Sequence, residues 1–309
     1  MRHNMTVTAL DTNGTPEDRI DAARSRIDAC LAGLVPSEAI WPRRLHQAQR
    51  HALLSPGKRF RPLLTLFLAQ ARGLDAAKTD AAMEIGCAVE MVHAASLILD
   101  DLPCMDDADL RRNQPTTHVA FGESTAILSA TALLNRAFGI IARNAEVPAE
   151  QRAELCDLLS YSVGSTGLIA GQMADLDNTG NASVSEIERV NRLKTGALFD
   201  FAADAAAILT ESSAPQRAAL KDFSRQIGLA FQLLDDVKDV LQSPEISGKT
   251  SGRDAGKTTL VAKHGLSETK AMLKTYLDNA KTALTRADLT GTEDLSALID
   301  RQFAFMRDL

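Results

Sequence analysis

The sequence predicts an all-α fold, and three observations carry that reading. Apolar residues recur at helical spacing almost throughout, and strand-like alternation is missing. Hydrophobic residues make up 45% of the chain while aromatics make up only 4%, so Ala, Leu, Ile and Val must do the packing. An Ala-rich composition of that kind favours helix, and 309 residues of it can bury a substantial core.

Taken in order, residues 1–15 read as a loosely ordered N-terminus and residues 16–309 as a single domain. Pro16-Glu17-Asp18 has the character of a first helical turn, where Pro is tolerated and acids face the positive end of the helix dipole. Leu63 to Ala71 is apolar enough to be buried. Asp80 to Leu99 reads as a long helix with few charges beyond Glu84 and Glu90, which places it centrally. Phe121 to Arg143, Ala149 to Ala170, Val184 to Thr210, Pro215 to Leu241 and Leu266 to Ala287 continue the helical pattern. Breaks fall at Ser55-Pro56-Gly57, Arg72-Gly73, Asn178 to Asn181, Ser212 to Pro215 and Ser243 to Gly256. None is long or biased enough to serve as an interdomain linker.

Bulk properties exclude several functions. A net charge of -6 argues against a general nucleic-acid binder. Cys30, Cys87, Cys104 and Cys156 form no CxxC pair, so free thiols in a reducing cytoplasm are expected. The N-terminal stretch lacks the apolar core of a signal peptide. No apolar run reads as long enough to span a membrane, so no stable membrane insertion is expected.

Two acidic clusters end apolar helical runs: Asp100-Asp101-Leu102-Pro103-Cys104-Met105-Asp106, and Asp235-Asp236-Val237-Lys238-Asp239. At about 3.6 residues per turn Asp235 and Asp239 stack on one helix face. No basic residue a turn earlier relieves their repulsion, and a hard multivalent cation such as Mg²⁺ suits carboxylate oxygens. Asp100 and Asp106 lie about 240° apart round an ideal helix, so a straight helix cannot aim both at one ion. The helix must therefore end, bulge or kink near Pro103. Asp107 and Asp109 add further charge. A single such motif is most often a solvated acidic face; two of them, each closing an apolar helix, point to a metal site.

Basic residues recur in a complementary set: Gly57-Lys58-Arg59-Phe60-Arg61, His93, Arg111-Arg112, Lys194-Thr195, Lys249 and Lys257. Arg and Lys bind phosphate oxygens as a planar fork and a point charge respectively. Any one of them alone reads equally well as an ordinary surface charge, and His93 as a core histidine.

Together these strings resemble the trans-prenyl (polyprenyl) diphosphate synthases, which include the bacterial geranylgeranyl and farnesyl enzymes. The stretch from Glu90 to Arg112 is similar to their first aspartate-rich motif, and Phe231-Gln232 to Asp239 to their second. Gly57-Lys58-Arg59, Gly171-Gln172, Lys194-Thr195 and Gly256-Lys257 follow the family order, over roughly residues 40 to 265. The resemblance implies a helical bundle around a deep central cavity, a homodimer, and three Mg²⁺ ions for which Mn²⁺ can substitute. It implies Asp100, Asp106 and Asp235 as metal ligands, with Asp101 and Asp239 assisting and Asp236 beside them. Arg111, Lys194, Lys249 and Lys257 would hold an allylic diphosphate. Lys58, Arg61, His93 and Arg112, with Arg59 close by, would hold isopentenyl diphosphate. Thr195 and Gln232 would place oxygens near the developing allylic cation. Small residues at Ala95 and Ser96, with Met91 a further turn down, imply a deep tail cavity and geranylgeranyl rather than farnesyl diphosphate as product.

Two departures stand out: Asn113 replaces a usual Gly after Arg111-Arg112, and the C-terminus lacks a strong basic tail. Rival readings fare worse. Gly252 to Leu260 evokes a nucleotide-binding loop, but the register of its Gly-Lys pair is off by one and no strand precedes it. A class I terpene cyclase needs no second set of diphosphate ligands. A non-catalytic synthase subunit is expected to lose acidic ligands, and both clusters are complete.

Overall fold

The computed structural model describes residues 14–177, 182–241 and 260–307. The first helix, α1 (Pro16–Leu34), starts where the Pro-acid signature places it, with a capping box between Thr15 and Asp18. There follow α2 (Arg43–Leu53), α3 (Phe60–Ala71) and α4 (Ala76–Asp100). A two-stranded hairpin, β1 (Leu110–Arg111) and β2 (Gln114–Pro115), precedes α5 (Thr117–Phe121) and α6 (Glu123–Ala142). The chain continues through α7 (Ala149–Val163), α8 (Leu168–Leu176) and α9 (Val184–Asn191). A π-helical turn, Arg192–Gly196, leads directly into α10 (Ala197–Leu209), then α11 (Ala214–Leu241). Beyond the segment 242–259 come α12 (Leu260–Arg286), α13 (Glu293–Gln302) and a final 3₁₀ turn (Ala304–Arg307).

The core forms around α4, which packs against α3, α6 and α10. Its apolar residues are almost all sealed, as the scarcity of charge in that segment implies. The all-α expectation holds, and the small-residue packing does too. Six of the thirteen residues of α10 are buried alanines, which let α3, α4, α7 and α11 approach it closely.

Glycines account for most differences from the expected helices. The run from Phe121 to Arg143 is divided at Gly122, whose φ of 81° is left-handed backbone. The run from Ala149 to Ala170 breaks between Gly164 and Gly167, where a Cβ on Gly167 would sit 2.1 Å from the Ser162 carbonyl oxygen. In α12, Gly265 interrupts the helix at φ 78°, so the regular helix resumes at Leu266 as expected. The expected breaks at 178–181 and 243–256 lie outside the described residues, as does most of the N-terminal stretch. The hairpin was not foreseen. Its two turn residues, Arg112 (φ 54°) and Asn113 (φ 60°), are both left-handed, the signature of a type I′ turn. Asn tolerates that conformation better than most residues, which accounts for Asn113 where Gly is usual.

By length and composition two helices among the described residues do reach membrane-span dimensions, contrary to the sequence expectation. The most apolar window of α4 is 72% buried, which marks it as a core helix. That of α6 is only 39% buried and leaves Ile127 and Leu128 exposed.

The close seat of α8 on the π-helical turn depends on Gly171. A Cβ there would lie 2.3 Å from the Lys194 amide nitrogen and 2.8 Å from its Cα, both backbone atoms that cannot swing aside. Gly139 in α6, by contrast, faces open space. Gly171→Ala is expected to destabilise by about 1–3 kcal/mol through overpacking. Gly139→Ala should instead stabilise by roughly 0.5–1 kcal/mol through helix propensity. Urea unfolding of the two variants beside the parent checks the contrast; equal midpoints for both would refute it.

Candidate active site

The last turns of α4 project His93, Ser96, Leu97 and Asp100 along one face, three or four residues apart. There the helix stops, as the acidic spacing demands. Asp101 caps it, and the chain doubles back: the Asp106 amide donates to the Asp100 carbonyl at 2.8 Å, and the Ala108 amide to the Asp101 carbonyl at 3.1 Å. A left-handed Asp107 (φ 46°) makes this reversal possible. It returns Asp106 to the neighbourhood of Asp100 and Asp101, where its charge acts on both.

The two aspartates that close α4 have different partners. Asp101 is gripped by Arg111, whose Nε reaches its two carboxylate oxygens at 2.8 and 2.9 Å and whose Nη2 reaches Oδ1 at 2.6 Å. Asp100 has Lys194 Nζ 3.9 Å away, while that amine sits 2.8 Å from Asp175 Oδ2. Burial pushes the Asp100 carboxyl up to about 6; Lys194 and Arg111 oppose the rise, and Asp106 and Asp101 add to it. Asp175 was not singled out in the sequence. The signal available was its being the lone charged residue of α8.

The π-helical turn joins the two halves of the site. An extra residue per turn rotates Lys194 towards Asp100 and leaves Thr195 facing α11. Thr195 Oγ1 donates to Gln232 Oε1 at 2.7 Å, and Gln232 Nε2 donates to Asp236 Oδ1 at 2.9 Å. Asp236 is thereby a buried anchor for Gln232. Asp235 is less buried, and its charge reaches Lys58 and Arg61. The side chain of Asp239, and Lys249 and Lys257 entirely, lie outside the described residues. Among the described residues no group of three or more His, Cys, Asp or Glu converges closely enough to form a metal site by itself.

The remaining basic residues gather on the other flank of His93. Arg61 is buried over the rings of Phe199 and Phe231, 4.6 and 5.6 Å from their centroids, and its Nε has no hydrogen-bond partner. These rings and Phe60 form a trio with centroid distances of 5.2–5.8 Å. Arg112 Nη1 donates to Ser55 Oγ at 3.2 Å. Burial, and then Arg61, Arg112, Arg111 and Arg59, hold the His93 imidazole well below its ordinary range, so it stands neutral at physiological pH. Lys58 is exposed; partial burial and the nearby Lys238 lower its amine, and Asp235 raises it. Arg59 lies beside this group with its guanidinium engaged by the protein. Its guanidinium is taken by Asp28 at 2.7 Å, Glu90 at 3.0 Å and the Ser55 carbonyl at 2.8 Å. Behind these groups a cavity opens between α2, α4 and the hairpin, with Arg59, Glu90, His93, Asp101 and Arg112 in its wall. Of the tail-facing candidates, Ser96 is half-buried on the His93–Asp100 face, while Ala95 and Met91 are packed in the core.

Known proteins share this architecture. Residues 42–289 match the family model described as polyprenyl synthetase. A geranylgeranyl diphosphate synthase of Pseudescherichia vulneris is 43% identical over 277 residues, covering 88% of each chain. A farnesyl diphosphate synthase of Geobacillus stearothermophilus is 38% identical, covering 81% of this chain and 85% of the other. A geranyltransferase from Helicobacter pylori, solved in complex with magnesium and isoprenyl diphosphate, superposes with a TM-score of 0.80 at 26% identity, over 96% of this chain and 98% of that one. The sequence match and the shared all-α architecture agree: the chain belongs to the polyprenyl synthetase family.

Proposed function

We propose that this chain condenses isopentenyl diphosphate with allylic diphosphates and makes chiefly geranylgeranyl diphosphate. The supporting observation is the division of charge on either side of His93. Asp100, Asp101 and Asp106, with Arg111 and Lys194, suit a diphosphate that arrives with metal ions. Lys58, Arg61 and Arg112, beside a neutral His93, suit a second diphosphate that does not. A fold needing only one diphosphate has no use for both. The activity for which the Pseudescherichia relative is named supports the same reading.

The donors present fit Mg²⁺. They are carboxylates, and Asp100 is a buried one, its carboxyl pushed up to about 6 chiefly by burial. Asp100, Asp106 and Asp235 would hold the ions, with Asp101 and Asp239 assisting; because the carboxylates among the described residues form no complete site by themselves, the substrate would supply further oxygen ligands. Bound Mg²⁺ would neutralise the leaving diphosphate. Magnesium in the Helicobacter geranyltransferase complex accords with this choice.

The residues then divide the chemistry. Lys194 and Arg111 receive the allylic diphosphate and stabilise the charge that grows on it as the C1–O bond breaks. Lys58, Arg61, His93 and Arg112 orient isopentenyl diphosphate so that its terminal alkene carbon attacks C1. The new carbon–carbon bond leaves a tertiary cation, which loses a proton from the adjacent carbon to give the trans alkene. An oxygen of the departed diphosphate accepts that proton. Thr195 and Gln232, locked together and to Asp236, present fixed oxygens to the cation. The aromatic trio helps to exclude water that would quench it. A second copy of the chain on the exposed α6 face, giving a homodimer, accounts for Ile127 (45% exposed) and Leu128 (61% exposed).

Four outcomes are expected. An assay with isopentenyl diphosphate and labelled allylic primers should show activity that EDTA abolishes and Mg²⁺ or Mn²⁺ restores. Asp100→Ala or Asp235→Ala should lower kcat at least about a thousandfold, since each removes a group acting on the transition state; full turnover in metal-free buffer would refute the metal reading. Replacing Ala95, or its half-buried neighbour Ser96, with Phe should shorten the product from twenty carbons to fifteen, read by chromatography after phosphatase treatment. A wild type that stops at fifteen carbons, or an aromatic variant that still makes twenty, removes both residues from the gate. Leu128→Glu should convert dimers to monomers in sedimentation, and a wild type that is already monomeric contradicts the α6 interface.

A further inference from the structure

Arg59, Arg61, Arg112 and His93 crowd one region, and Glu90 is the acid that faces them from within the core. Its side chain is 5% exposed and sits one helical turn before His93. It lies 3.0 Å from Arg59 Nη1. Burial lowers the Arg61 and Arg112 guanidiniums, and for each the charge of Glu90 is the largest effect acting the other way. The same carboxylate therefore answers three guanidiniums at once.

The geometry beyond Arg59 shows what that anion holds in place. Arg59 adopts a left-handed backbone (φ 49°) just before α3, which turns its side chain inward between Lys58 and Arg61. With Asp28 and Glu90 holding it, Arg59 Nη2 clamps the Ser55 carbonyl at 2.8 Å, and Ser55 Oγ in turn receives Arg112 Nη1 at 3.2 Å. Gly57 lies in the same turn. A Cβ on it would be 2.8 Å from Arg112 Nη1 and 3.0 Å from Arg59 Nη1, so the turn is wedged between the two guanidiniums. Glu90 to Arg59 to Ser55 to Arg112 is thus one continuous chain of polar contacts ending at a diphosphate ligand.

We propose that Glu90 is a positioning residue for the isopentenyl diphosphate site, acting through Arg59 and the Ser55–Gly57 turn to fix the guanidinium of Arg112. The inference rests on the functional reading above. Electrostatics alone opposes it, because a buried anion near the site repels a diphosphate. Positioning wins if the cost of letting Arg59 and Arg112 spread apart in the free enzyme exceeds that repulsion.

The two effects predict opposite signs, which makes the test sharp. Glu90→Gln, close in shape but uncharged, should raise KM for isopentenyl diphosphate about tenfold while kcat and KM for the allylic primer change less than about threefold. In an Arg112→Ala background the same change should add less than about twofold, since its route is already cut. Asp28→Asn, at the exposed partner of the same guanidinium, should give a smaller rise of the same selectivity, and it serves if Glu90→Gln does not fold. A KM for isopentenyl diphosphate that is unchanged or lower in both variants, an equal effect on both substrates, or full additivity with Arg112→Ala would overturn the proposal. An inactive wild type would instead refute the function itself.

Discussion

Helix α4 carries Glu90 and Asp100, with Asp101 at its cap, on a segment whose other faces are sealed among Ala, Ile, Val and Met. Charges so placed cannot stay ionised unless neighbours answer them, because removing a carboxylate from water costs several kcal/mol. Much of the surrounding architecture answers that constraint. The hairpin delivers Arg111 to Asp101, the π-helical turn delivers Lys194 towards Asp100, and the turn before α3 delivers Arg59 to Glu90. Asp100 is answered least, with its nearest cation 3.9 Å away and a carboxyl that titrates at about 6. On the proposed function, that shortfall is where a bound metal ion would act.

Local strain follows the same map. Among the described residues, four of the six left-handed residues other than glycine (Arg59, Asp107, Arg112 and Asn113) lie in the segments that build this charge cluster, while Glu211 and Asp288 lie elsewhere. Each such conformation costs on the order of 1 kcal/mol, and the tertiary contacts of the cluster offset it. On the proposed function, the return is that the ligands for two anions would stand ready before either anion binds.

The fold was legible because long apolar helices impose their period on the sequence. Pro16, Asp80 to Leu99 and Pro215 to Leu241 were readable to within a few residues for that reason. The π-helical turn was not readable, since one inserted residue inside the run from Val184 to Thr210 barely disturbs an apolar pattern. Strands of two residues are too short for alternation to register, so the hairpin at Leu110–Pro115 was invisible. At the site, the end of α4 near Pro103 followed from the angular offset of Asp100 and Asp106. What the motif could not disclose was the division of duties between adjacent residues. Asp100 and Asp101 differ by about 100° round the helix, and so do Asp235 and Asp236. That Asp101 meets Arg111 and Asp236 meets Gln232 is reached only through the tertiary fold. Arg59 escaped for the same reason, because nothing in Gly57-Lys58-Arg59 says that its side chain turns inward to Glu90.

The alanines of α10 carry a consequence for how this chain can change over generations. Ala202, Ala203, Ala205 and Ala206 are wholly enclosed, so each neighbouring helix rests nearly on the α10 backbone. A methyl side chain can be made smaller only by glycine, which loosens the helix, and any other exchange inserts volume where none is free. Tolerance at these positions is therefore one-sided and close to nil. The exposed positions of α12 and α13 face no such ratchet, so drift should collect there while α10 stays nearly invariant.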